Sequence, residues 1–275
     1  MPRIALGLEY DGRGYAGWQA QAGGLATVQG IAEAALSRVA DEPVSLTCAG
    51  RTDAGVHAMG QVAHFDTGAQ RTMRAWALGA NTNLPSDVSV HWACEVPERF
   101  HARHSAESRT YCYLILNRGT RSALAHGRAT LIHHRLDEGR MAQAAAHLLG
   151  EHDFSAFRAA QCQSRTPIRR LEELLIERRG EWILVRATAN AFLHHMVRNI
   201  AGLLIAVGRD RAEPAWAREV LASRDRSSSA PTAPPDGLYL WRVRYSHALA
   251  LPESAGGSAW DIIPGLQRPG STSGR

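Results

Sequence analysis

Residues 45–66 read SLTCAGRTDAGVHAMGQVAHFD. Two strand-like segments, 45–49 and 61–66, flank the loop Gly50-Arg51-Thr52-Asp53-Ala54-Gly55, which runs on into Val56-His57. A glycine at each end lets the backbone turn tightly, and a strand on each side would hold the loop rigid. A loop of this kind presents one side chain, Asp53, from a preorganised scaffold, as a nucleophilic carboxylate requires. Taken alone, an Asp between glycines is more often a turn residue bonded to its own backbone. The surrounding sequence has to decide between the two.

Working outward, residues 4–10 read as a strand. Val28, Ile31, Ala32, Ala35, Leu36 and Val39 recur at helical spacing. Beyond the loop a helix is expected over 73–79 and a strand over 89–94, which gives the order β-α-β-β-α-β. The second half repeats it. Residues 110–116 alternate, with Tyr111, Tyr113 and Ile115 on one face. A helix is expected over 139–149, a hairpin over 169–177 and 182–188, and a long helix marked by Leu193, Met196, Val197, Ile200, Leu204 and Val207. A short helix over 215–223 and a strand over 238–245 close the half.

Two such units in tandem predict an α+β fold of two ferredoxin-like halves, residues 1–105 and 106–246, with helices on one side of each antiparallel sheet and a central cleft. Residues 224–236 read as a loop. The Gly-, Ser- and Pro-rich stretch from about 252 to 275 makes 247–275 an expected disordered tail.

Composition narrows the chemistry. The chain has 275 residues, 45% hydrophobic and 21% charged, the balance of a soluble globular protein. No apolar run reaches the length of a membrane span, and the opening MPRIALGLEYDG lacks a signal-peptide pattern, so a cytoplasmic location and no membrane partner are the expectation. All 31 basic residues are arginine, since the sequence contains no lysine. That excludes a Schiff-base lysine and the Walker A or kinase lysine. No Gly-x-Gly-x-x-Gly turn stands between a strand and a helix, so no nucleotide cofactor is expected. Cys48, Cys94, Cys112 and Cys162 form no Cys-x-x-Cys pair and read as core residues. A net charge of +5 suits a polyanionic partner.

The second informative stretch is Asn190-Ala191-Phe192-Leu193-His194-His195-Met196-Val197-Arg198-Asn199. On a helix, His194 and Arg198 are four apart and share a flank, and Gly202 on that flank would admit another backbone. Arg198 can pair with a buried carboxylate and keep it ionised; the alternative is a solvated helix charge. A zinc site at the adjacent histidines is disfavoured, because neighbours on a helix point about 100° apart and no His-Glu-x-x-His pattern exists. Of Tyr111 and Tyr113, one is expected to be core and the other a platform for a nucleobase. Arg13, Tyr15, Trp18 and Gln19, in a glycine-rich loop, and Arg103 and Arg169-Arg170 are candidate RNA contacts. A metal-dependent hydrolase using Asp53, His57 and His64 is the weaker competing reading.

Together these stretches resemble the TruA family of tRNA pseudouridine synthases. The resemblance is carried by Gly50-Arg51-Thr52-Asp53-Ala54-Gly55-Val56-His57-Ala58 with Gly60-Gln61-Val62, by Tyr10-Asp11-Gly12 to Trp18-Gln19 with Val28-Gln29-Gly30, and by Arg109-Thr110-Tyr111-Cys112-Tyr113. It continues through Gly150-Glu151-His152-Asp153-Phe154, residues 192–199, and Thr232-Ala233-Pro234 with Gly237-Leu238-Tyr239-Leu240. Arg13 and Ala191 depart from the family's usual small hydroxyl residue and glycine. The resemblance implies isomerisation of uridine to pseudouridine in the tRNA anticodon stem-loop, at positions 38, 39 and 40, without redox cofactor, ATP or metal. It implies tRNA as partner, a homodimer, and Asp53 as the essential carboxylate. On that reading Arg198 holds Asp53 ionised, Tyr111 stacks on the uracil and assists proton removal from C5, and Arg51 fills the gap left by the extruded nucleotide. Leu238 and Leu240 wall the pocket, His57 is a further substrate-binding residue, and His194 is a candidate RNA contact. A non-catalytic tRNA-binding protein on the same scaffold is the alternative.

Overall fold

The structure is a computed structural model that describes residues 1–21, 23–252 and 258–262. The first half contains β1 (Arg3–Tyr10), α1 (Val28–Ala40), β2 (Thr47–Cys48), β3 (His57–Asp66), α2 (Met73–Asn83) and β4 (Val88–Val96). The second contains β5 (Ala106–Asn117), β6 (Thr130–Ile132), α3 (Glu138–Ala146), β7 (Gly150–Asp153), β8 (Ile168–Arg179), β9 (Trp182–Ala189), α4 (Met196–Gly208), α5 (Trp216–Ser223) and β10 (Leu238–Tyr245). The strands form one sheet in the order β4-β1-β3-β10-β5-β9-β8-β7, with β2 on β3 and β6 on β5. In each β-α-β-β-α-β unit the strands lie fourth, first, third, second: β4-β1-β3-β2, then β10-β5-β9-β8.

The halves meet edge to edge, not face to face. Strand β2 is only two residues long, shorter than the expected 45–49, and pairs with the far end of β3 (Thr47↔His64, Cys48↔Ala63). The near end of β3 is thereby left for β10, which pairs with it in parallel through Tyr239↔His57 and Leu240↔Ala58. The chain leaves the sheet at Cys48 because residues 50–56 form the glycine-bounded loop, and that departure opens the seam.

The helices lie on one face, α1 on α2 and α3 on α4, over the main core of Leu6, Leu8, Leu36, Trp76, Tyr113 and Leu204. Local chemistry sets their ends. Thr27 caps α1 by accepting from the Gly30 N–H, and Thr72 caps α2 through Ala75. Helix α2 runs to Asn83, past the expected 73–79, because Asn81 pairs with both the N–H and the carbonyl of Val90 on β4.

The opposite face carries a smaller apolar cluster of Cys112, Leu114, Leu116, Leu184, Tyr239 and Trp241, together with Trp260. Residues 258–262 correct the expectation of a structureless tail. Trp260 is 2% exposed, its Nε1 donates to Glu177 Oε2 at 2.7 Å, and the Arg179 guanidinium lies 4.5 Å above its ring. One aromatic residue in a polar, small-residue stretch found an unoccupied apolar surface. Residues 247–252 are described as well, with a 3-10 turn over His247–Leu249, and 253–257 and 263–275 lie outside the described residues.

Candidate active site

The loop 50–56 is held by groups on three sides. Gln61, fully buried in β3, donates to the Gly50 carbonyl at 2.7 Å and accepts from the Gly50 N–H. The Tyr10 hydroxyl bonds Thr52 Oγ1 at 2.8 Å, and the Trp18 N–H bonds the Thr52 carbonyl at 3.0 Å. Gly17, at φ 93, permits that approach: a Cβ there would lie 2.7 Å from the Thr52 carbonyl oxygen. Gly55 is left-handed at φ 78 with Pro235 against it. The outcome is a rigid turn that exposes about a quarter of the Asp53 side chain, 23%.

Facing it is the start of α4. The helix begins only at Met196, because His195 is left-handed at φ 63. The histidines therefore are not helical neighbours, and the angular argument against their acting together fails. Both turn to the carboxylate: His194 Nε2 lies 3.1 Å from Asp53 Oδ1 and His195 Nε2 3.2 Å from Oδ2. Arg198 Nη1 lies 3.1 Å from Oδ2, while its Nε donates to the Ala233 carbonyl at 2.9 Å. Gly202 lets residue 231 pack against α4, since a Cβ there would sit 2.1 Å from the Pro231 carbonyl oxygen. That close approach brings residues 231–235 over α4 and within reach of Arg198.

One guanidinium and two imidazole nitrogens thus surround the carboxylate. Burial lowers the His195 pKa below its ordinary value, against the pull of Asp53; His194 and Arg198 add to the lowering. The Nε2 of His195 stands at ion-pair distance from Asp53 Oδ2. Asp53, His194 and His195 bring three donor atoms within 4.8 Å of one another, close enough for a divalent cation. The Arg198 guanidinium already bonds Oδ2, so an ion there would compete with a fixed positive charge.

Tyr111 lines the same place. Its hydroxyl lies 3.4 Å from where a Cβ on Gly50 would stand, with Leu240 at 3.9 Å. Its ring meets Phe192 edge-on at 5.1 Å. Burial raises its phenol pKa above the ordinary value, opposed by Arg109 and reinforced by the Asp53 charge, so it stays protonated. Tyr113 is the core tyrosine, bonded to Thr130 Oγ1 and the Pro234 carbonyl. Leu238 and Leu240 are buried opposite Tyr113 and Tyr111 across the β10–β5 pair. Arg51 is exposed on the loop.

Several other expected contacts are structural. His57 is 2% exposed; its Nδ1 accepts from Gly12 N–H, its Nε2 reaches the Gly127 and Asp236 carbonyls, and its ring stacks on Tyr239. It clamps three loops and has no free nitrogen for a ligand. Tyr15 is buried with its hydroxyl on Asp87, and Trp18 is buried beside Tyr10. Gln19 bonds Gln29, and Arg169 is buried on loop oxygens including Ser164 Oγ. Aromatics in a glycine-rich stretch looked like RNA contacts; the loop folds inward instead. Arg13 is forked onto Asp11 yet remains 45% exposed, and Arg103 is exposed. His194 lies against Asp53, closer to the chemistry than a rim contact.

Sequence reasoning passed over His195, Gln61, Phe192 and Cys162. Cys162 is half-buried, and its Sγ accepts from the His194 N–H at 3.4 Å. The one usable signal was Gln61, an amide beside the apolar Val62 and Ala63, because a buried amide must find partners.

A sheet doubled in this way, with a carboxylate loop at its seam, defines a pseudouridine-synthase-type fold. The family model for tRNA pseudouridine synthase matches residues 8–105 and 144–246. The chain belongs to the TruA family of tRNA pseudouridine synthases. It is 58% identical over 253 residues to the tRNA pseudouridine synthase A of Methylococcus capsulatus, covering 92% of this chain and 93% of that one. It is 50% identical over 260 residues to the protein of the same name from Alcanivorax borkumensis (94% and 97%) and 54% identical over 250 residues to that of Nitrosococcus oceani (91% and 96%). Among the described residues no helix is long and apolar enough to cross a membrane.

Proposed function

We propose that this chain isomerises uridine to pseudouridine in the tRNA anticodon stem-loop, with Asp53 as the reacting carboxylate. One observation carries the reading: Asp53 is held between Arg198, His194 and His195 and remains open to a ligand. The guanidinium of Arg198 balances the carboxylate's negative charge in a partly shielded place. A protein that only bound tRNA would gain nothing from turning a carboxylate toward a polyanion.

In this reading the target uridine is extruded into the groove over the seam. Asp53 attacks C1′ and displaces N1 of uracil. The detached base, held against Tyr111 and Leu240, turns so that C5 attacks C1′ and the carboxylate leaves. C5 then loses its proton and N1 gains one. Atoms and electrons balance within the nucleotide, so the reaction calls on no redox partner. Arg51, exposed on the loop, fills the space in the RNA stack, while Arg13 and Arg103 neutralise phosphates.

The halves 1–105 and 106–246 act as two walls of one RNA-binding groove. A homodimer and a cytoplasmic location follow from the family resemblance. The test is nucleoside analysis of an unmodified tRNA transcript incubated with the purified chain, with the modified positions mapped. Pseudouridine at positions 38, 39 or 40 supports the reading, and transcript bound but unaltered refutes it.

A further inference from the structure

Arg109 is a buried cation that faces no carboxylate. It lies in β5, two residues before Tyr111, and is 8% exposed. Among the described residues no Asp or Glu oxygen lies within ion-pair distance of it. Its guanidinium instead binds four backbone carbonyls. Nη2 donates to Ala49 at 3.0 Å and to Arg103; Nη1 donates to Asn190 at 3.1 Å and to Ala106 at 3.2 Å.

Those carbonyls come from separate parts of the chain. Ala49 immediately precedes the loop that carries Asp53. Asn190 opens the segment that ends in His194 and His195. Arg103 belongs to the link between the halves, and Ala106 starts β5. Burial lowers the pKa of this guanidinium, so keeping it charged has a cost. An apolar side chain would secure β5 without that cost. What an apolar residue cannot supply is a rigid planar fork with donors directed at several acceptors together.

We propose that Arg109 is a positioning residue for the reaction: it ties the Asp53 loop to the His194–His195 segment across the seam, so that the carboxylate meets its donors. It touches neither substrate nor Asp53 and acts through both segments. The proposal rests on Asp53 being the reacting carboxylate.

The test is Arg109→Lys, with Arg109→Gln as second variant. Lysine keeps a buried charge, but its three donors radiate from one point and cannot span the Ala49 and Asn190 carbonyls. A misplaced carboxylate lowers kcat and leaves RNA binding alone, so kcat should fall about 30-fold or more, with KM for tRNA within about threefold of the parent. Both are measured well below the melting temperature of each variant. A kcat within about threefold of the parent overturns the proposal, as does a loss that only follows the unfolded fraction. If neither variant folds, Arg109 serves folding alone and the proposal also fails. Asp53→Asn is assayed in parallel. If it still makes pseudouridine, the reading of the site is wrong whatever Arg109 does. If it is inactive while Arg109→Lys is normal, only the positioning role is lost.

Discussion

Arg198 Nη1 lies 3.1 Å from Asp53 Oδ2, a contact that joins the first half of the chain to the second across 145 residues of sequence. The guanidinium is 14% exposed and the carboxylate 23% exposed, so the pair is shielded from water without being sealed. Removing one partner of such a pair leaves the other insufficiently compensated. Arg198→Met should therefore lower kcat by about 100-fold or more while tRNA affinity in a filter-binding assay stays within about threefold. Weak binding with normal single-turnover chemistry would instead make Arg198 an RNA contact.

The two histidines place their Nε2 atoms 3.1 and 3.2 Å from the Asp53 oxygens. Losing a polar contact to a charged group costs about 1.5–3 kcal/mol, so His194→Gln and His195→Gln should each cost about tenfold or more in kcat. The same three side chains bring possible ligand atoms within 4.8 Å of one another. Added zinc should inhibit by capturing Asp53, and chelator should restore the rate. Chelator alone should leave the parent rate unchanged, and the double Gln variant should resist zinc. A parent enzyme that loses activity on chelation would mean that a metal takes part.

Acid should destabilise the fold through His64. Burial, helped by Arg3 and His101, lowers its pKa to about 4, and its Nδ1 accepts from the Ala102 N–H. The unfolded chain takes up that proton near 6.5, whereas the folded chain resists until about 4. Between these values the unfolded state binds more protons, so stability falls as pH drops. Tm should decline from pH 7 to pH 5, and less steeply in His64→Gln, whose Oε1 can accept the same N–H. Equal slopes would contradict this.

Trp260 should stabilise the sheet without affecting catalysis. It is buried against the face opposite Asp53, with its ring under Arg179 and its Nε1 on Glu177. The segment lies beyond the last strand and can detach as a unit, which caps the loss at the free energy of docking, about 2 kcal/mol for one aromatic side chain. Trp260→Ala and truncation after residue 252 should thus lower Tm by the same few degrees with kcat unchanged. A truncation that costs much more would place further contacts beyond Trp260.

Much of the fold was legible because its elements announce themselves locally. Residues 238–245 form β10 as expected, alternating buried and exposed from Trp241 to Tyr245, and the apolar stripe of α4 is unmistakable. What no local pattern carries is the parallel seam between β3 and β10, which depends on how early β2 stops. At the site, Asp53 and Arg198 stood out by residue type and context. His195 did not, because a left-handed residue before a helix looks like helix from its neighbours. Tyr15 and Trp18 misled in the opposite way, since nothing in a glycine-rich stretch says that its aromatics fold inward.

In the proposed mechanism the Asp53 carboxylate carries out the reaction. Asp53→Asn keeps the size of the side chain and removes its charge, so the loop, held by Gln61, Tyr10 and Trp18, should stay in place. The decisive measurement is the pseudouridine content of tRNA after single-turnover incubation with excess Asp53→Asn protein. The expected result is tRNA bound at near-parental affinity and no pseudouridine formed. Pseudouridine accumulating at the parental sites would contradict it.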